Sequence, residues 1–563
     1  MRYNWKITAL LVCIIVIGTI LRIDNIATRT IGHVETYVPG IELPEGISDP
    51  RPRYGLFDYI ARTIGEEPHP PAYYIFMFPW TKIFGIGLLS IRLPSVIFGI
   101  LSILLIYILC TLMEDRLTAI LAAGMLALNG LHIYWSQEAK MYSMACFLGL
   151  LSTILLVLIL RKNRYQKILN ILYVIVTLTG LTTVIYFWPI FMTQILWIFI
   201  NSWHKSKKVP GILRFQFLVF ILGSPLLAIA AFQSKRASYV EEGLLLELSH
   251  FFQFGFIFEP ELYLEGVKNQ MPTIVTVGML FLAAFLLFMG LVQKRNQGQV
   301  KETDSRGPHS VLIISVGIIC FLVILAFSVF AHAKDTSRTN LIIAMSFLPL
   351  ILLIIDFLLK KLWPYSETLE IHSYNKLCCL NKYTSLIALL GIFPVLAVAG
   401  LSIIKPLFVA RGTLIFVPYF LIILCRGMSS LICKSRLWII LLIVIAITHG
   451  FGVKHWQTRV HSPRNYKELY EKLEPKIQES DLIFVYENWA MSPIFYYMKE
   501  DHYNLIGYDY SQAIEENPNS RIWVLCLPGI PMRQEIKDAI KDYQLQERVD
   551  AFNMWSLLYR KNP

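Results

Sequence analysis

The sequence predicts a polytopic α-helical membrane protein of about thirteen spans, with a long loop after the first span and a small C-terminal α/β domain. Three observations predict it. Hydrophobic residues make up 55% of the chain and charged residues only 16%, whereas soluble domains run near a quarter charged. Apolar runs able to cross a bilayer, roughly 20 residues each, succeed one another over residues 1–450. From Phe451 to Pro563 the pattern changes to short apolar strands between amphipathic stretches.

The elements follow in order. Ile7–Leu21, after Arg2 and Lys6, has no small-residue cleavage site and reads as an uncleaved first span. Residues 24–90 then form a loop far longer than ordinary connections, the kind usually tied to function. Within it Pro68, Pro70 and Pro71 hold the backbone extended, and "AYYIFMFPWTKIF" follows as an interfacial helix with Tyr73, Tyr74 and Trp80 at headgroup level. Further spans centre near residues 101, 125, 150, 176, 193, 221, 282, 320, 350, 392, 416 and 443, the pair within 168–200 divisible in more than one way. "LHIYWSQEAKMYS" (131–143) is a short outer turn. The basic clusters at 161–167, 204–208, 293–295, 360–361 and 433–436 fall on the side of Arg2 and Lys6, which the positive-inside rule assigns to the cytoplasm. The C-terminal domain therefore lies outside a cytoplasmic (inner) membrane.

In that domain "DLIFVY" (481–486) and "RIWVLC" (521–526) read as buried strands, with a third in "AFNMWSLLYR" and helices over 465–477, 489–499 and 532–543. It carries neither a Gly-rich phosphate loop nor a nucleophile elbow, and reads either as an outer cap or acceptor-docking module or as a structural appendage. The net charge of +12 is spread between spans, which argues against nucleic acid as a partner. Nine scattered cysteines predict neither a disulfide framework nor a zinc site, and no metal-ligand cluster stands out.

Three stretches resemble a known family. "EPHPPAYYIFMFPWTKIFG" with "SIRLPSVIFGILSILLIY", then "YWSQEAKMYSMACFLGLLS", then "KPLFVARGTLIFVPYF", are similar to outer-loop motifs of family-39-like glycosyltransferases of the GT-C superfamily, which includes protein mannosyltransferases and the lipid A aminoarabinose transferase. The resemblance implies an inverting transfer of a sugar from a polyprenyl-phosphate carrier at the outer membrane face. The lipid-linked sugar is then a co-substrate, with no cofactor.

The family's motif after the first span is an Asp-Glu pair. Here Val34 stands at the aspartate position and Glu35 keeps the second. The resemblance thus makes Glu35 the candidate base, with Glu66 and Glu67 as alternatives. It implies Arg92, Lys140 and Arg411 as donor-phosphate ligands, Lys140 replacing an arginine. His33, His69, Tyr73, Tyr74, Gln137, Glu138 and Tyr142 would line the substrate cavity. The bland readings are an exposed loop carboxylate for Glu35 and snorkelling interfacial cations for the basic residues.

The activity expected is therefore glycosyl transfer to a glycolipid, glycan or protein. A transporter or flippase of lipid-linked sugars is the alternative, as is a polymerase or ligase of lipid-linked oligosaccharides. Ionisable residues gather at span ends and in outer loops rather than at mid-span, which favours the enzyme.

Overall fold

The structure is a computed structural model that describes residues 5–41, 55–57, 70–113, 116–161, 164–205, 211–233, 383–404, 407–409, 411–434, 464–498, 504–527 and 529–561. The expected spans near 282, 320, 350 and 443, and the candidates Glu66, Glu67 and His69, lie outside the described residues.

Helix α1 (Trp5–Ile23) is largely apolar between Lys6 in its first turn and Arg22 in its last. Arg22 is fully buried and donates to Gly18 O (2.8 Å), Ala127 O (3.0 Å) and Leu126 O (3.1 Å). The last two carbonyls end α4 (Arg116–Ala127), where a helix leaves its acceptors unpaired and favours positive charge. The span expected near residue 125 is consequently not straight. It stops at Leu128, and α5 (Gly130–Ser136) leaves at 57°, its start capped by the Asn129 side chain accepting from His132 N at 2.9 Å. The turn expected over 131–143 is thus half helix, with an irregular stretch only at 137–141.

Between these lie α2 (Ala72–Phe84) and α3 (Leu88–Met113), and α3 packs along α6 (Tyr142–Leu160) and α4. Close approach is needed at Gly99, where a Cβ would stand 2.3 Å from Ser136 Oγ. Helix α2 was expected to set Tyr73 and Tyr74 at headgroup level. Instead it turns both rings into the protein core, because its inner face packs on α3. The ambiguous stretch at 168–200 resolves into α7 (Gln166–Leu181) and α8 (Phe187–Lys205), broken at 182–186. Helices α9 (Ile212–Gln233), α10 (Thr384–Ile404) and α11 (Val417–Lys434) follow, the last preceded by a 3-10 turn at Gly412–Phe416. Among the described residues, five helical segments are long and apolar enough to cross a membrane, and the bent α4–α5 pair makes a sixth if taken as one span.

The C-terminal region carries a five-stranded sheet of order β2-β1-β3-β5-β4: β1 (Leu482–Val485), β2 (Asn504–Ile506), β3 (Ile522–Cys526), β4 (Tyr543–Ala551) and β5 (Met554–Lys561). The first three are mutually parallel, while β5 runs antiparallel to both β3 and β4. Helices α12 (Tyr466–Leu473), α13 (Asn488–Met498), α14 (Tyr510–Glu516) and α15 (Gln534–Ala539) flank it. Strand β4, "YQLQERVDA", alternates apolar and polar residues at Tyr543, Leu545, Val549 and Ala551, interrupted by Glu547, and was not among the strands expected. Asp481, fully buried before β1, locks the sheet by accepting from Arg521 Nε (2.8 Å) and Nη2 (2.6 Å), Trp523 Nε1 (3.0 Å) and Gln478 N (2.9 Å).

Candidate active site

The first loop closes over the bundle with a 3-10 turn, His33–Tyr37, that drives Glu35 inward until none of it is exposed. Four donors meet its carboxylate. Oε1 accepts from Arg92 Nε (2.8 Å) and Ala139 N (2.9 Å), and Oε2 from Arg92 Nη2 (2.6 Å) and Gly32 N (2.9 Å). Arg92, on the second turn of α3, spends its remaining N–H groups on backbone: Nη1 on Ile26 O (2.7 Å) and Arg29 O (3.2 Å), Nη2 on Thr30 O (2.8 Å). A guanidinium has five N–H groups, and all five are used within the protein. The pair expected as base and phosphate ligand are therefore each other's partners, in the bidentate geometry that suits arginine and carboxylate.

A second carboxyl adjoins this pair. A Cβ built on Gly32 would lie 3.7 Å from Glu138 Oε2 and 3.8 Å from Glu35 Oε2, so the two side chains flank one glycine. Their environments drive them apart. Burial alone would raise Glu35, but the Arg92 charge and hydrogen bonds, with the Gly32 and Ala139 amides, more than offset it and hold Glu35 below the usual carboxylate value. Glu138 is pushed well above that value by burial and by the Glu35 charge, against the opposing pull of Arg92 and Arg29. Glu35 is thus held toward its ionised form and Glu138 toward its protonated form. Glu138 retains an accessible edge, at 6% exposure, and Glu35 retains none. Arg29, which the sequence reading passed over, sits beside them; burial draws its guanidinium down to about 10.

On the other side of residue 139 the charge is positive. Lys140 is nearly buried, 3.2 Å from Tyr74 Oη and 5.0 Å over the Tyr37 ring. His33, partly accessible but hemmed in, is driven down to about 3 by desolvation and by the charges of Lys140, Arg464 and Arg411. It is neutral at physiological pH, and the three cations converge on it from the α5–α6 connection, the segment before α12, and the turn before α11. Arg411 is placed by a tight backbone, since a Cβ on the next residue, Gly412, would meet the Tyr186 ring at 2.1 Å.

The remaining candidates are also near, in supporting positions. Tyr73 is fully buried beside both glutamates, which with desolvation raise its phenol. Gln137 is buried and donates to Leu21 O (2.9 Å) and Asp24 O (3.2 Å), tying the connection to the end of α1. Tyr142 packs edge-on against Trp135 with centroids 4.6 Å apart. The sequence reading missed Arg29, Arg464, Thr30 and Tyr497; only the last two lack any charge or motif that could have drawn attention. Among the described residues, no group of three or more His, Cys, Asp or Glu side chains is placed to hold a metal ion.

No protein-family model matches this chain, and no curated protein sequence matches it. Among solved structures it is similar to ArnT from Cupriavidus metallidurans in the apo state, at 9% identity and TM-score 0.40, covering 98% of each chain. The same ArnT bound to undecaprenyl phosphate gives 9% identity and TM-score 0.39 over 98% of each chain. The archaeal oligosaccharyltransferase AglB from Archaeoglobus fulgidus, in complex with an inhibitory peptide and a dolichol-phosphate, is similar at 10% identity and TM-score 0.41, over 99% of this chain and 74% of that one.

Proposed function

We propose that the protein is an inverting glycosyltransferase that moves a sugar from a polyprenyl-phosphate carrier to a glycolipid, glycan or protein acceptor. The observation that carries this reading is the juxtaposition, across residues 138–140, of the adjoining carboxyl side chains Glu35 and Glu138 and the cations Lys140, Arg411 and Arg464 around His33. Lys140, Arg411 and Arg464 suit a phosphate that gains charge as it leaves. Arg92, with every donor used inside the protein, is the anchor of Glu35 rather than a phosphate ligand.

Glu138 is the carboxyl an acceptor can reach, and its raised basicity suits a general base. The acceptor oxygen attacks the anomeric carbon, the bond from that carbon to the phosphate oxygen breaks, and the lipid phosphate leaves with the electron pair. The hydroxyl proton passes to Glu138 in its ionised form, with the Glu35–Arg92 pair fixing the carboxyl in place. A lipid-borne donor keeps its phosphate at the membrane interface, and this reading puts the loop and the C-terminal domain on the outer face of a cytoplasmic membrane, in keeping with the distribution of basic residues. Glu66 and Glu67 become the alternatives if Glu138 is dispensable. The test is transfer of labelled sugar from polyprenyl-phosphate donors by the purified chain. Glu138→Gln should abolish it at matched expression, and a wild-type protein inert with every such donor overturns the reading in favour of a transporter.

A further inference from the structure

We propose that the C-terminal sheet domain is a clamp that holds the candidate active site in register, with Tyr497 and Thr30 as its positioning residues; this deepens, and rests on, the glycosyl-transfer reading. Tyr497, at the end of α13, reaches the loop after α1. Its Oη accepts from Ile31 N at 2.7 Å and lies 3.4 Å from Thr30 Oγ1. Thr30 Oγ1 also accepts from Lys467 N, in the first turn of α12, at 3.2 Å. Two helices of the sheet domain thus grip two consecutive residues more than 400 positions earlier in the chain.

The same residues form the cradle of the buried arginine. Thr30 O accepts from Arg92 Nη2 at 2.8 Å, and Arg29 O from Arg92 Nη1 at 3.2 Å. Segment 29–31 is therefore held between Arg92 on one side and the sheet domain on the other. Arg92 passes that position on to Glu35, and Glu35 to Gly32, Ala139 and Glu138. Tyr497 packs against the hydrophobic cores of both the helical bundle and the sheet domain, so it is the side chain through which each body senses the other. Its neighbour Tyr496 adds a second tie, donating to Ile86 O at 3.0 Å just before α3. This part-buried network transmits position because breaking one of its bonds leaves a backbone N–H without its partner.

The experiment uses the full chain in detergent, with a labelled polyprenyl-phosphate sugar and with hydrogen exchange over residues 26–41. Tyr497→Phe and Thr30→Val should each lower kcat about tenfold, the worth of one buried hydrogen bond, with KM for the lipid donor within about twofold. Thr30→Ser, which keeps the hydroxyl, should restore the rate. The double variant should lose less than the two single losses combined, since both remove the Tyr497–Thr30 contact. Tyr510→Phe removes a buried hydroxyl on the far side of the sheet domain, bonded to Gly507 O and Val485 O, and should leave the rate unchanged. Exchange at Ile31 should rise in Tyr497→Phe, which removes its acceptor, and not in Tyr510→Phe.

An equal loss in Tyr510→Phe means general destabilisation and overturns the clamp. So does faster exchange with an unchanged kcat, or no change in exchange. A wild-type chain that never transfers, but whose variants exchange faster at Ile31, overturns the glycosyl-transfer reading and leaves only a structural contact.

Discussion

Glu35→Gln and Glu138→Gln are the same chemical change at adjacent sites, and the structure predicts opposite consequences. At Glu35 the amide removes a negative charge from a fully buried ion pair. Arg92 keeps its three carbonyl acceptors, but its charge loses its counterion. Four donors now point at the side chain. The amide oxygen accepts two, and the amide nitrogen opposes the others. Removing one partner of a buried ion pair costs about 3–5 kcal/mol, and two orphaned donors at about 1–3 kcal/mol each lead to the same range. Against a total stability of about 5–15 kcal/mol, such a loss is large. At Glu138, where burial and the Glu35 charge favour the neutral carboxyl, the amide keeps that charge and costs about 1 kcal/mol, one ordinary hydrogen bond. Transfer, however, should fall by about 10²–10⁴-fold, the usual worth of general-base catalysis. The assay pairs the unfolding midpoint in detergent with transfer of labelled sugar. Should Glu138→Gln prove the less stable variant, or Glu35→Gln unfold like wild type, the assignment of anchor and base is refuted.

Three further outcomes are expected. The transfer rate should rise with pH through a limb above the ordinary carboxylate range, because burial and the Glu35 charge raise Glu138 and only its ionised form accepts a proton. His33, neutral down to about 3, should add no limb between pH 5 and 8, so a limb that survives Glu138→Gln there counts against the scheme. Gly412→Ala sets a methyl 2.1 Å from the Tyr186 ring and should cost about 1–3 kcal/mol while displacing Arg411, read as a higher KM for the lipid donor. Asp481→Asn should weaken the sheet domain by about 2–4 kcal/mol, since Asp481 is buried while Arg521 is 21% exposed and partly hydrated; urea-dependent loss of the Trp523 fluorescence signal measures it.

The sequence alone determined the class of molecule. Long apolar runs have no soluble alternative, and a charge fraction of 16% leaves too little polar surface for one. The resemblance of its motifs to a known family also drew attention to Glu35, Arg92, Glu138 and Lys140. Their roles were another matter. Whether Arg92 meets a ligand or Glu35 depends on how a loop folds back across a separation of 57 positions, and no local pattern encodes that return. The bend between α4 and α5 was hidden for a similar reason: its cause is Arg22, more than a hundred residues earlier, capping carbonyls that local propensity treats as mid-span. Strand β4 was overlooked although Tyr543, Leu545, Val549 and Ala551 alternate with polar residues, because Glu547 breaks the pattern into two short pieces. Composition and periodicity report the solvent each residue meets, and so determined the membrane class. Tertiary structure decided which charges neutralise one another, because Coulomb energy and hydrogen bonding depend on distances that only the folded chain sets.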